Sequence, residues 1–486
     1  MNHVANPTEA SSPPPAPPSL YERRKQIYPK LAHGKFRMVK WVVMALTLGV
    51  YYIVPWIRWP RGEGIPDQAV LADFAGEKFY FFFITIWPQE IFYLAGLLIV
   101  ATFGLFLVTS LLGRVWCGYT CPQTVWTDLY IWVERAFEGD RAARMRLDKA
   151  PWSLNKAVRK IGKHIVWLII AFLTGGALIL YWHDAPTIAR TFFTGQAPLT
   201  AYFFAGLLTL TTYFLAGWMR EQVCTYMCPW PRIQGALTDE YALNVTYRYD
   251  RGEPRGPLRK EQGFEGRGHC IDCKQCVQVC PMGIDIRDGA QLECIHCALC
   301  IDACDDIMTR VGRPTGLIAY DTDLAVATRA AGGKPVYKLL RTRTVLYAVL
   351  MVAISALILV GLAKEPTFEI NVLKDRSPPF VQLANGDVRN GYTLKLVNKA
   401  TTARDTMVSI SGLPGAEFEI IGLSKPDGAK EMELPLEQYG VDRFRLLVTA
   451  PAASLPHRSS LDITVLDPVT GESHTSSAAF TTAGAE

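Results

Sequence analysis

All twelve cysteines of this 486-residue chain fall into four groups, and none lies beyond Cys304. Two groups are quartets. Cys270, Cys273, Cys276 and Cys280 follow C-x2-C-x2-C-x3-C with Pro281 next, and Cys294, Cys297, Cys300 and Cys304 repeat that spacing with Asp305 in place of the proline. Three thiolates at this short step wrap one face of an iron–sulfur cubane, while the more distant fourth reaches the neighbouring cluster. The spacing therefore predicts two 4Fe–4S clusters, one on Cys270, Cys273, Cys276 and Cys304, the other on Cys294, Cys297, Cys300 and Cys280. Zinc is the competing reading, because C-x2-C pairs also bind it. Zinc has no use for a third cysteine at the same step, twice over. This stretch is expected to carry electrons.

The other two groups are pairs, Cys117 with Cys121 and Cys224 with Cys228, each reading C-x-Y-x-C-P. Cysteines four apart share a helical face, and the following proline disfavours helix at the second one, so each pair marks a helix terminus. Packed with pseudo-symmetry, two such hairpins would bring four thiols together. Soft thiolates select Cu(I), zinc or iron–sulfur iron, and Met219 and Met227 lie nearby in sequence. Buried cysteines that merely pack are the bland alternative; duplication of the whole motif argues for a metal or redox role.

Half of the chain is hydrophobic and a fifth charged, which points to a membrane protein. Met38–Ile57 is long enough to cross the hydrocarbon core at about 1.5 Å per residue, and further spans are expected near 90–112, 164–182, 198–218 and 344–363. Phe79–Trp87 is expected to approach the interface, with Pro88 breaking it from the second span. The N-terminus and segments 113–163 and 219–343 are rich in Lys and Arg, whereas 58–87 and 183–197 are poor in them. The positive-inside rule then puts the N-terminus and both quartets in the cytoplasm and everything after the fifth span outside, in the periplasm. Cysteines confined to the cytoplasmic side fit a reducing compartment.

Domain boundaries follow from composition. Residues 1–36 form a cytoplasmic N-terminus, with a Pro-rich start (1–20) expected to be disordered. Residues 37–250 form a four-span region and 251–343 the two-cluster module. Residues 344–363 form the fifth span. Residues 364–486 alternate apolar and polar side chains at 392–398, 442–448 and 461–466, separated by turns such as Asn385-Gly386, Asn390-Gly391 and Asp427-Gly428, which predicts an immunoglobulin-like β-sandwich. The fold class is thus a multi-domain membrane protein: a five-span α-helical bundle, a ferredoxin-like module and a C-terminal sandwich.

Weaker candidates remain. Glu90 follows Pro88 in the first turn of the second span, where a carboxylate suits the helix dipole; an ionisable group near a span can also mark a proton or quinone path, and the dipole reading is the favoured one. His164 and His183 flank the third span as interfacial residues. The basic run 141–163 is expected to face anionic lipid headgroups. Membrane lipid is an expected partner and nucleic acid is not.

The segments CGYTCPQTVWTDLY (117–130), MCPWPRIQGA (227–236), CDDIM (304–308) and GRPTGLIAY (312–320) closely resemble the FixG/CcoG (RdxA) family over nearly the whole chain past its start. That resemblance implies an accessory protein for assembly of cbb3-type cytochrome c oxidase, a cupric reductase that turns Cu(II) into Cu(I). It further implies copper at Cys117, Cys121, Cys224 and Cys228. Oxidase subunits or copper-handling assembly factors are the implied partners, with a cytoplasmic electron donor still to be identified. Two other readings stay open: a quinol-linked electron-transfer subunit, and a copper chaperone or scaffold whose clusters are structural.

Overall fold

The computed structural model describes residues 25–62, 64–258, 264–400, 402–423, 430–451 and 455–482. The Pro-rich start and the Asp427-Gly428 turn lie outside the described residues. Five described helices are long and apolar enough to cross a membrane: Lys35–Trp56, Ile91–Leu112, Leu154–Leu180, Leu199–Met219 and Thr342–Ala363. Four match the hydropathy closely. The third starts at Leu154 rather than 164, because Lys156, Lys160 and Lys163 in its first turns find acceptors and carboxylates inside the protein. The chain divides into two compact units, residues 1–52, 102–177 and 199–348 in one, and 53–101, 178–198 and 349–486 in the other.

In the first unit the cysteine-rich module packs around a small apolar core of Val245, Ile286, Ile301, Met308, Leu317 and Ile318. Strand Asn244–Tyr247 pairs antiparallel with Ile318–Asp321. The module therefore begins ahead of residue 251, where composition had divided it from the spans. A two-strand ladder needs both partners, and the second lies far downstream of the cysteines. The carboxylate of Asp302, between Cys300 and Cys304, accepts the backbone N–H groups of Phe36 (3.2 Å) and Arg37 (2.7 Å). This satisfies donors that the first turn of the first span cannot pair within the helix, and sets a negative charge at its positive end. One turn on, Arg37 and Lys40 are buried against Asp128 at 2.9 and 3.7 Å.

Part of the basic run after residue 140, expected to face lipid headgroups, is engaged inside the protein, while Arg146, Lys149 and Arg159 stay exposed. Arg144 is fully buried and pairs with Glu134 at 2.7 Å. Lys160 pairs with Glu138 and Asp148, and Lys163 with Glu134 and Glu138. Glu134 and Glu138 are four apart on the helix Pro122–Glu138, so one acidic face gathers bases from two neighbouring elements.

In the second unit, the stretch 70–86 is an antiparallel three-stranded sheet of Val70–Asp73, Lys78–Phe81 and Ile84–Ile86. The aromatic and β-branched residues expected to approach the interface alternate across this sheet, with Tyr80 buried and Phe81 exposed. The C-terminal part is a sandwich. One sheet runs Glu417–Ile420, Val441–Pro451, Asp387–Asn398, Phe368–Lys374, with Val381–Gln382 added to Asp387–Asn398. The other runs Glu431–Leu436, Arg404–Ser411, Arg458–Leu466, Ser473–Thr481. Tyr392, Leu394 and Leu396 point inward at every second residue and meet Leu446, Val448, Leu461, Ile463 and Val465. Glu90 does more than suit a dipole. It accepts the Trp87 N–H at 3.0 Å and pairs with Lys399, which also holds Glu365 and Glu369 at 2.7 Å. Burial pushes the Glu90 carboxyl up to about 7 even beside that ammonium.

Candidate iron–sulfur and thiol site

The two quartets repeat in backbone as well as in spacing. Asp272 and Lys274 flank Cys273 with φ of 53° and 55°; His296 and Ala298 flank Cys297 with φ of 52° and 60°. Left-handed backbone at non-glycine residues costs on the order of 1–2 kcal/mol each, so four such residues at matched positions mark a purpose-built loop. The turns fold each C-x2-C-x2-C segment back on itself, and a short helix starts directly after each (Gln275–Val279 and Leu299–Arg310).

Two small cavities result. Cys270, Cys273, Cys276 and Cys304 line one, with Ile307, Met308, Leu317 and Ile318. Cys280, Cys294, Cys297 and Cys300 line the other, with Cys276, Ile284, Ile286 and Ile295. Each quartet's last cysteine stands with the other quartet's first three. Among the described residues no three cysteine sulfurs lie within 4.8 Å of one another. Tetrahedral zinc, with bonds of about 2.3 Å, would need sulfurs about 3.8 Å apart; a cubane spreads its thiolates wider around a four-iron core. Burial pushes the Cys276 and Cys294 thiols up to about 12 and Cys280 to about 11. Thiolates there need a compensating metal charge. Soft donors in an apolar shell fit 4Fe–4S clusters.

The thiol pairs sit on helix breaks of one design. Gly113 and Arg220 each stand four residues before the first cysteine of their pair, and both are left-handed, with φ of 58° and 44°. Gly113 has no room for a side chain, since a Cβ would meet Asn244 Oδ1 at 2.3 Å and His296 Nδ1 at 2.7 Å. Arg220 is held in its uncommon conformation by its guanidinium, which donates to the Gly217 carbonyl at 2.8 Å and to Glu134 at 3.0 Å. After each break comes a single turn (the short helix Val115–Tyr119, the π-helical turn Val223–Met227), and then a new helix beginning at Pro122 or Trp230. The proline closes the turn and leaves Cys121 and Cys228 on extended backbone. Thus Cys121 and Cys228 lie in the joints between helices, not along one helical face with their partners.

The four thiols are neighbours. Burial first, then Cys121 and Cys224, pushes Cys117 up to about 12; burial, then Cys121 and Cys228, does the same to Cys224. Cys117 and Cys224 also pack with Ile295, Cys297 and Met282, on the wall of the Cys280–Cys300 cavity. Gly118 makes the approach possible. A Cβ there would stand 2.7 Å from the Ile295 carbonyl and 3.0 Å from the Cys297 backbone. Cys228 is the exposed member, so the group opens to the surface on that side.

Several residues that hold this junction were not singled out as candidates in the sequence, although Tyr119 and Gln234 lie within its motif segments. The Arg114 N–H donates to His296 Nδ1 at 2.9 Å, and its guanidinium reaches the carbonyls of Leu292 and of Pro231 (2.7 Å), tying the first thiol segment to the second and to the cluster loop. His296 is held neutral, its pKa lowered to about 3 by burial and the nearby Arg114 charge. Tyr119 donates to the Cys297 carbonyl at 3.3 Å. Gln234 is fully buried and accepts from the Cys117 thiol at 3.3 Å, while its Nε2 has no partner among the described residues. Met227, by contrast, is more than half exposed. A small cavity of about 30 Å³ lies beside Cys224 between Glu221, Arg220, Met282 and Ile295.

The family described as a 4Fe-4S dicluster domain matches residues 219–323, and a 4Fe-4S binding domain matches 94–138, where Cys117 and Cys121 are the cysteines present. The IG-like fold at the C-terminal of FixG matches 358–482. The nitrogen fixation protein FixG of Rhizobium meliloti is 48% identical over 460 residues, covering 89% of this chain and 88% of that protein. The proteins RdxA and RdxB of Cereibacter sphaeroides are 46% and 49% identical, covering 91% and 82% of this chain and 93% and 85% of their own lengths.

Proposed function

This chain belongs to the FixG/RdxA family of iron–sulfur electron-transfer proteins, and from that premise we propose that it reduces Cu(II) to Cu(I) at the membrane for assembly of a cbb3-type cytochrome c oxidase. One cluster is assigned to Cys270, Cys273, Cys276 and Cys304, the other to Cys280, Cys294, Cys297 and Cys300; bound there, the two clusters supply one-electron carriers. Cys117, Cys121, Cys224 and Cys228 are the soft donors offered to the copper substrate, which would have to draw their sulfurs closer together to engage more than two of them. The observation that carries the reading is the contact of Gly118 with Ile295 and Cys297, which goes with the packing of Cys117 and Cys224, one thiol of each pair, against the loop of the second cluster.

The chemistry at the thiols is a one-electron step: Cu(II) plus one electron gives Cu(I). Thiolates stabilise Cu(I) over Cu(II), so the site's own preference favours the reduction. Copper must displace thiol protons to bind, which the raised thiol values make costly without the metal's charge. The exposed Cys228 is the point of entry. Lys/Arg asymmetry supports a cytoplasmic module and a periplasmic sandwich, so copper is handled on the cytoplasmic side.

The test is anaerobic titration of reduced, purified protein with Cu(II), following cluster absorbance and bound copper per chain. Replacing Cys117 and Cys121, or Cys224 and Cys228, with serine should abolish copper binding and leave cluster absorbance unchanged, because serine keeps the size and removes the soft donor. Full copper occupancy in both double variants would refute the assignment. The 4Fe-4S match over 94–138 favours a second reading, iron on these thiols. Iron beyond about eight per chain would select it.

A further inference from the structure

A larger cavity, of about 710 Å³, lies beside the thiol site in the same unit, within the range of small-ligand sites. Its walls are the first half of the helix Leu154–Leu180 and the π-helical turn Tyr213–Met219. Such turns are rare and concentrate at functional sites. This one contributes Gly217 and Trp218 to the lining.

The lining combines flat rings (Tyr28, Trp152, His164, Trp167 and Trp218) with charged side chains that are paired among themselves or with neighbours. The His164 imidazole stacks on Trp218, with centroids 5.6 Å apart and planes at 16°, and meets Trp167 edge-on at 5.1 Å. Its Nδ1 bonds the Tyr213 hydroxyl at 3.0 Å. The cations around the cavity are already engaged: Lys160 and Lys163 with Glu138, Arg220 with Glu134, and Lys156 with the carbonyls of Asp148 and Ala150. A phosphate would have to compete with those carboxylates, so an anionic lipid headgroup is the poorer occupant. Among the lining residues, Ile161 and Trp218, both on span-length helices, are 58% and 48% exposed and give the cavity an apolar outward-facing edge. A ligand entering there is membrane-soluble, carries a planar ring and offers hydroxyl groups to an imidazole. Arg220 lines this cavity and also the small one at Cys224, Met282 and Ile295, so an occupant would sit next to the thiol and cluster region.

We propose that this cavity binds the ring of a membrane quinol, the source of the electrons that the proposed copper chemistry consumes. Oxidation of one quinol to quinone breaks two O–H bonds and releases two protons and two electrons. Two electrons match two one-electron carriers. With Nδ1–H donating to Tyr213, Nε2 of His164 is the acceptor for one proton, and the other leaves to water. This extends the copper reading and rests on a different set of residues.

The experiment uses full-length protein in nanodiscs without copper, titrated with decyl-ubiquinone and followed by tryptophan fluorescence. Ile161→Trp fills the mouth without touching an ion pair and should weaken binding about tenfold or more. Ile165→Trp, exposed on the same helix but outside the lining, should bind as the parent does. His164→Ala should slow cluster bleaching by decyl-ubiquinol while bleaching by dithionite is unchanged. No saturable quenching, equal binding by Ile161→Trp and parent, or saturation of the cavity by phosphatidylglycerol in place of quinone would each overturn the proposal. Dithionite-reduced protein reducing Cu(II) normally in that case would leave the copper reading standing; quinone binding without Cu(II) reduction would sink the copper reading alone.

Discussion

Gly118 lies so close to the Ile295 carbonyl that a single added carbon would stand 2.7 Å from it. The first thiol segment and the loop carrying Cys297 therefore touch backbone to backbone, with nothing flexible between them. Gly118→Ala must push the two apart, since backbone on both sides cannot swing away as a side chain would. A cost of about 1–3 kcal/mol is expected from overpacking. Dithionite-reduced Gly118→Ala protein should keep its cluster absorbance and reduce Cu(II) several-fold more slowly. An unchanged rate would show that this contact is not the route.

The two cysteine cavities predict a crossed effect. Cys280→Ala should damage the cluster whose other ligands are Cys294, Cys297 and Cys300, and Cys304→Ala the cluster of Cys270, Cys273 and Cys276. The parent should carry about eight irons and eight sulfides per chain. Spectroscopy that assigns each loss to the cluster of the mutated cysteine's own quartet would rule out the exchange.

Glu134 predicts an acid limb. Burial alone would push its carboxyl up, but Arg220, Arg144 and Lys163 hold it down at about 2. A depressed folded value contributes stability that is complete above the unfolded carboxylate value, near 4.3, and is lost as pH falls toward 2. The amount is on the order of 3 kcal/mol. Glu134→Gln should flatten the stability profile over that window. At neutral pH it should also destabilise by about 3–5 kcal/mol, since Arg144 is left buried without its carboxylate. Thermal unfolding in detergent against pH reads both; a parallel pair of curves would exclude Glu134 as the titrating group.

Sidedness predicts labelling. Single-cysteine reporters at exposed positions of the sandwich, such as Val469, should react with an impermeant maleimide in intact cells, while a reporter at Leu292 should not. Labelling at Leu292 would invert the topology.

What the sequence determined on its own is whatever depends on spacing along one chain. Cysteine steps of three and four specify cluster loops, apolar runs of span length specify membrane helices, and period-two alternation specifies the strands around Tyr392 and Leu446, because each is set by the rise and period of local backbone. Tertiary structure decided what depends on partners far apart in the chain. The lysines and arginines of 141–163 read as one basic run until Glu134 and Glu138 were brought opposite Arg144, Lys160 and Lys163, and 79–87 read as an aromatic stretch without a partner until Val70–Asp73 paired with Lys78–Phe81. Gly118 and Gln234 lie within the motif segments and Arg114 just outside them, yet no spacing or periodicity says what any of the three touches. Their importance comes from lying against Ile295, Leu292 and Cys117, contacts across more than 100 residues of chain that no local pattern encodes.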